Sequence, residues 1–177
     1  MVERMNHSDH VNLLRKGVPA TGGTWADFGC GTGAFTLALA ELIVDGTIHA
    51  IDKDAGALGV LEDEMRRRFP IITLHTHRHD YTKPITLLAL DGIVAANTLH
   101  FHRDKLAIVR SFKAHLREGG RMLIVEYNID AGNYAVPHPL PLSAWQALAA
   151  QAGFTHTELM MTRPSRFLKE IYSAVSW

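Results

Sequence analysis

The chain has 177 residues, 47% apolar and 20% charged, a composition that excludes intrinsic disorder and suits one folded domain spanning 1–177. Basic and acidic side chains balance at 18 each, so no global basic field points to nucleic acid or to an anionic membrane. The lone Cys30 excludes a disulfide framework, no apolar run nears the ~20 residues of a membrane span, and MVERMNHSDH lacks a signal-peptide core; the expectation is a cytoplasmic protein, its oligomeric state open.

Short β-type runs alternate with helical patterns along the chain. Residues 1–20 hold a short helix at 8–16. TWADF (24–28) reads as the first strand, and a glycine turn leads from it into a helix burying Phe35, Ala38, Leu39 and Leu42. TIHAID (47–52) is the second strand. Asp54 caps a helix whose Leu58, Leu61, Met65 and Phe69 share a face. IITLHTH (71–77) and DGIVAA (91–96) are strands three and four. A helix over 104–117 buries Leu106, Val109, Phe112 and Leu116 and ends at Gly119-Gly120. RMLIVEY (121–127) is strand five. Ser143 and Gln146 have capping-box spacing ahead of a helix ending at Gly153. THTELMM (155–161) and FLKEIYSAVSW (167–177) are the last strands, joined by a turn at Arg-Pro-Ser.

This alternation predicts an α/β fold: one doubly wound, mostly parallel, seven-stranded sheet with helices on both faces. The last two strands lack a helix between them, so they form a hairpin and the final strand runs antiparallel. Ligands in such sheets bind at the carboxyl ends of the strands. Functional residues are therefore expected just after strands one to five.

The segment ADFGCGTGAF (26–35) is the most informative. Gly29, Gly31 and Gly33, with Cys30 between them, put a close backbone surface at the start of a helix, where N–H groups lack partners. Asp52 ends strand two about 20 residues on, placed to accept both hydroxyls of a ribose. The spacing Gly29-x-Gly31-x-x-Ala34 also satisfies a relaxed dinucleotide fingerprint. Asp27, read as standing at the mouth of the turn, separates the options. It would repel a pyrophosphate and favour an ammonium or sulfonium, which S-adenosylmethionine carries.

The sequence resembles the class I S-adenosylmethionine-dependent methyltransferases over nearly its whole length. Asp27-Phe-Gly-Cys-Gly-Thr-Gly33 is similar to the family's first motif and His49-Ala-Ile-Asp52 to its ribose acid. His79-Asp80-Tyr81 matches the segment that meets the adenine, Asp91–His100 the fourth motif, and Leu116–Ile124 the entry to strand five. The resemblance implies the Rossmann-like methyltransferase fold, S-adenosyl-L-methionine as cofactor and methyl transfer to an acceptor. It implies a cofactor site of Asp27, the glycine-loop backbone, Asp52, Lys53, His79, Asp80, Tyr81 and Asn97. The large lid insertion of many small-molecule methyltransferases is absent from the sequence. A nicotinamide-dependent reductase and a non-catalytic cofactor-binding partner protein are the rival readings.

His100 follows strand four, beside the expected methyl group. It either deprotonates or orients a nucleophile, or packs under the loop. Tyr127, Tyr134 and His138 after strand five, with Arg163 and Arg166 in the last turn, are candidate acceptor contacts. They suggest a small acceptor with an apolar or aromatic body, on which the arginines would favour an anionic group. The alternating His75, His77 and His79 share one face of a strand, as metal ligands could, but no cysteine or second carboxylate cluster accompanies them. No metal, nucleic acid or membrane is expected as a partner.

Overall fold

The computed structural model describes residues 5–87, 89–165 and 167–177. Elements run α1 (His7–Arg15), β1 (Thr24–Phe28), α2 (Ala34–Ile43), β2 (Thr47–Asp52), α3 (Ala55–Arg68), β3 (Thr73–Arg78) and β4 (Leu90–Ala96). They continue with a 3-10 turn (Leu99–Phe101), α4 (Leu106–Ala114), β5 (Leu116–Tyr127), α5 (Leu142–Ala152), β6 (Thr157–Pro164) and β7 (Glu170–Ser176). The sheet order is β3-β2-β1-β4-β5-β7-β6. β1 to β5 pair in parallel, and β7 runs antiparallel to both neighbours. The carboxyl ends of β1, β2, β3, β4 and β5 thus share one edge, as the strand–helix alternation predicts.

Alternate residues of the strands divide between two cores. Trp25, Ile48, Val94 and Leu123 join Leu13, Leu39 and Leu61 of α1, α2 and α3 on one face. Ala26, Phe28, Ile93 and Ile124 join Phe112 and Trp145 of α4 and α5 on the other. Phe28 lies directly beneath the glycine turn and stacks on Phe112 at 4.1 Å, which anchors the end of β1 against α4.

Several boundaries differ from the sequence reading: β3 begins at Thr73, and β6 runs on to Pro164, so Arg163 lies in a strand and not in the last turn. The first helix begins at His7 because Asn6 caps it: its side chain accepts from Asp9 N–H while Asp9 accepts from Asn6 N–H. α4 ends at Ala114, and Leu116 opens β5 opposite Leu90. Leu90 N–H donating to His115 O and the Arg117–Asp91 ion pair draw this segment into the sheet. Gly119-Gly120 therefore lies within β5, where the β4–β5 register shifts, and does not end a helix. Ser143 sits inside α5; Pro141 is the N-cap and no side chain caps that end.

The glycines of the turn do different work. A Cβ on Gly33 would collide with Leu61 of α3, and one on Gly29 would lie 2.7 Å from Thr98 Oγ1. Both are packing requirements. Gly31 has φ +52°, and a Cβ there would meet nothing within 4 Å.

Asp27 differs from its expected position. It is 1% exposed, and Thr36 Oγ1 of α2 donates to its Oδ2 at 2.6 Å. The carboxylate faces back into the first turn of α2, behind the glycine turn. Burial raises its pKa to about 7, with Thr36 opposing and Asp52 reinforcing the shift. An unfolded Asp titrates near ~3.9, so the native protein binds more protons than the unfolded chain between about pH 4 and 7. The Asp27 contribution to stability therefore falls as pH rises through that window and is lowest above it. Asp27→Asn removes the titration. In denaturant titrations the variant should gain on the wild type by on the order of 2 kcal/mol between pH 5 and pH 8. Parallel pH profiles would contradict this account of Asp27.

Candidate functional site

A cavity of about 630 Å³ opens at the carboxyl ends of β1 to β4, within the size range of small-ligand sites. Its wall includes Gly29, Asp52, Lys53, His79, Asp80, Tyr81 and Asn97, seven of the residues singled out from the sequence. Thr82, Thr98, Phe101, His102, Asp104 and Ile108 complete it. Cys30 and Gly33 are buried behind this wall with Asp27. Burial raises the Cys30 thiol pKa, and Asp27 and Asp52 add to the shift, which holds the thiol protonated.

Asp52 ties the glycine turn to β2. Its Oδ2 accepts from Gly31 N–H and its Oδ1 from Asp54 N–H, both at 2.9 Å. Each carboxylate oxygen keeps a further lone pair for a ligand. The orientation of this acid and the shape of the turn are therefore one feature. Gly33 caps α2 in a left-handed conformation with no side-chain hydrogen bond, so the first turn of α2 keeps N–H groups free of side-chain partners.

Asp80, after β3, also lines the cavity. Thr82 donates to its Oδ1 through both Oγ1 (2.7 Å) and N–H (3.0 Å), and these bonds hold its carboxyl below the usual pKa range. Tyr81 OH bonds to Thr98 O at 3.2 Å and to His102 Nε2 at 2.7 Å. These contacts cross-link the segment after β3 to the turn after β4. Burial raises the Tyr81 pKa and lowers that of His102, so the uncharged pair is favoured.

Asn97 is the most strained residue of the wall. It has φ +53°, a left-handed conformation that Asn tolerates at a cost. Its Oδ1 is buried with no hydrogen-bond partner among the described residues. Backbone strain and an orphaned acceptor at one cavity residue mark a position shaped for a ligand.

Beneath Asn97 lies a group that the sequence analysis missed. Glu126, the penultimate residue of β5, is fully buried. Its Oε1 accepts from Thr98, Leu99 and His100 N–H at 3.2, 2.9 and 3.3 Å. Its Oε2 accepts from His100 Nδ1 at 2.7 Å. The contact pairs the imidazole Nδ1 with the carboxylate and fixes the plane of the ring. His100 is 3% exposed and stands behind the wall formed by its neighbours. A carboxylate closing the apolar run RMLIVEY was the available signal.

The remaining candidates divide. Tyr127 is half-buried beside His100, with ring centroids 6.2 Å apart. His138 N–H donates to His100 O, which draws the long loop after β5 to the same end. Tyr134, on that loop, is 94% exposed. Arg163 does not stand free at the rim: it forms an ion pair with Asp9 of α1 at 2.5 Å. Arg166 lies outside the described residues. The histidines of β2 and β3 form a local cluster in which His49 Nδ1 meets His77 Nε2 at 2.9 Å, away from the cavity wall. No helix among the described residues is long and apolar enough to cross a membrane.

Comparison with known proteins agrees with this geometry. Residues 26–122, from within β1 into β5, match the family model described as "Methyltransferase domain". Ribosomal RNA small subunit methyltransferase C of Acinetobacter baylyi is 36% identical over 109 residues, 58% of this chain. The aligned part is 32% of that relative, so the match covers about a third of its length. The YcgJ protein of Bacillus subtilis superimposes with TM-score 0.74 at 13% identity, over 96% of this chain and 98% of its own. Phosphoethanolamine N-methyltransferase 2 of Haemonchus contortus, solved with S-adenosyl-L-methionine, gives TM-score 0.74 at 14% identity, over 96% and 51%. These structures share the fold. Together with the family match over the motif-bearing half, the chain belongs to the class I S-adenosylmethionine-dependent methyltransferases.

Proposed function

We propose that this protein transfers the methyl group of S-adenosylmethionine to a small-molecule acceptor. The carrying observation is the cavity that joins Asp52, Asp80 and the strained Asn97 at one end of the sheet, beside open space at Gly31. These groups fit the cofactor's chemistry. Asp52 accepts from the ribose hydroxyls, and Asp80 and the Tyr81 backbone meet the adenine, with Lys53 and His79 beside them. The N–H groups at the start of α2 favour the methionine carboxylate. Asn97 Oδ1 offers its free lone pairs to the cofactor's ammonium. Bound there, the cofactor supplies an electrophilic methyl group, and the protein supplies alignment and exclusion of water.

His100, the proton acceptor considered from the sequence, is 3% exposed and packs behind the cavity wall with Nδ1 on Glu126; its role is to position the turn after β4. Asp27 supports the turn from behind through Thr36 and is not assigned a direct ligand contact.

A second reading, methylation of ribosomal RNA, is favoured by the 36% identity to the Acinetobacter enzyme. The equal numbers of acidic and basic residues give it no electrostatic support. Tritiated methyl from S-adenosylmethionine, offered against small-subunit ribosomal RNA and against a small-molecule extract, separates the two. Label in the extract alone supports the present proposal; label in the RNA alone overturns it.

Two substitutions test the cofactor assignment. Asp52→Ala should weaken S-adenosylmethionine binding at least tenfold, about 1.4 kcal/mol, by calorimetry; unchanged affinity would remove Asp52 from the site. Gly31→Val should fold, since no protein atom opposes its Cβ, apart from the left-handed φ costing about 1–2 kcal/mol. It should lose cofactor binding. Normal binding by the folded variant would make the turn purely structural. NAD binding by the wild type in place of S-adenosylmethionine would restore the reductase reading.

A further inference from the structure

We propose that the acceptor site is a run of aromatic rings leading out of the cofactor cavity, and that it takes a planar aryl acceptor bearing one hydroxyl group. This rests on the methyl-transfer reading above. Phe101 belongs to the cavity wall, yet it is 57% exposed. Its ring lies 4.3 Å from His100, and His100 lies 6.2 Å from Tyr127. Tyr127 in turn lies 5.8 Å from Phe167, which is 51% exposed. The four rings come from the turn after β4, the end of β5 and the connection from β6 to β7. Three separate segments thus place aromatic groups together at the end of the sheet that carries the cofactor cavity.

The packing of the core does not account for this run. Phe101 and Phe167 leave about half their surface in water, while the rings that build the core, Phe28, Phe112 and Trp145, are fully buried. The rings of the run are mutually tilted by 50–56°, so they offer both faces and edges to an inserted ring, and aromatic contacts are favourable in both geometries. Exposed apolar surface continuous with a ligand cavity marks a binding region.

The polar chemistry of the run narrows the ligand. Asp9 pairs with Arg163, one of the two arginines to which the sequence reading assigns an anionic acceptor group; Arg166 lies outside the described residues. The run holds two polar groups, the His100 imidazole, which is 3% exposed with Nδ1 on Glu126, and the hydroxyl of half-buried Tyr127, which can donate to or accept from a ligand hydroxyl. An aryl ring with one hydroxyl supplies a flat apolar body and a single matching polar group.

The test uses the full chain, loaded with S-adenosylhomocysteine so that no turnover occurs, and 2-naphthol as the probe. Calorimetry or saturation-transfer NMR should show 2-naphthol binding. Phe167→Leu, at an exposed position away from the cavity wall, should weaken it by at least about fivefold and leave S-adenosylhomocysteine affinity unchanged. The saturated analogue decahydro-2-naphthol should bind at least about fivefold more weakly than 2-naphthol to the wild type. The proposal is overturned if the loaded protein does not bind 2-naphthol, if Phe167→Leu binds it as tightly as the wild type, or if the saturated analogue binds equally well. Failure to bind S-adenosylhomocysteine at all would overturn the methyl-transfer reading itself, and this proposal with it.

Discussion

The arrangement of the site depends on one buried carboxylate. Glu126 sits at the end of a strand whose other inward residues are apolar, and a charge there is tolerated only if it is fully hydrogen-bonded. Four donors meet that condition: three consecutive backbone N–H groups and the His100 ring. All four belong to the segment that leaves β4. Asn97, immediately before those N–H groups, is held with φ +53°, and Phe101, immediately after them, is turned outward onto the cavity. Lys105 lies nearby, donates to His102 O at 2.6 Å and adds attraction to Glu126, although burial is the larger influence and lowers the Lys105 pKa. The cavity wall, the His100 ring and the proposed acceptor surface are thus fixed through one side chain on the neighbouring strand.

The cavity is stiffened by links between successive strand ends. Asp52 on β2 holds Gly31 of the turn after β1. His79 N–H donates to Asp52 O, and Tyr81 reaches across to Thr98. Thr98 Oγ1 bonds back to Phe28 O at 3.1 Å, which returns the chain of contacts to β1. Catalysis by alignment needs such rigidity, since small displacements of reacting groups carry large rate penalties. α1 adds a contact on the other flank: its Asp9 ties to Arg163 of β6, and His10 packs edge-on against Phe35 of α2 at 4.8 Å. The first helix thereby joins the glycine-turn side of the sheet to its last hairpin.

Much of the cavity wall was legible in the sequence because its signals are local. A strand, a glycine turn and a carboxylate at the end of the next strand have a spacing that can be counted, and the sheet topology then brings the strand ends together. What was not legible depends on distant partners. Asp27 reads as standing at the mouth of the turn, but its orientation is set by Thr36, nine residues on, and by the packing of α2. Arg163 reads as free rim charge, but its partner Asp9 is 154 positions away. Phe101 and Phe167 meet only through His100 and Tyr127, and no sequence spacing encodes that convergence. The boundary between α4 and β5 shifted for a similar reason. Leu116 continues a helical period, yet its pairing with Leu90 prevails, an example of tertiary context overriding local pattern.

The most direct test of this account is the S-adenosylmethionine affinity of Glu126→Gln, measured by calorimetry under conditions where the variant is folded. Glutamine nearly preserves the volume but replaces one acceptor oxygen with an NH₂ group, which opposes either the backbone N–H groups or the His100 Nδ1–H. If Glu126 shapes the cavity wall, the turn after β4 relaxes and Kd rises at least tenfold, about 1.4 kcal/mol. A Kd equal to that of the wild type would show that the cavity wall forms without the carboxylate, and would contradict the account.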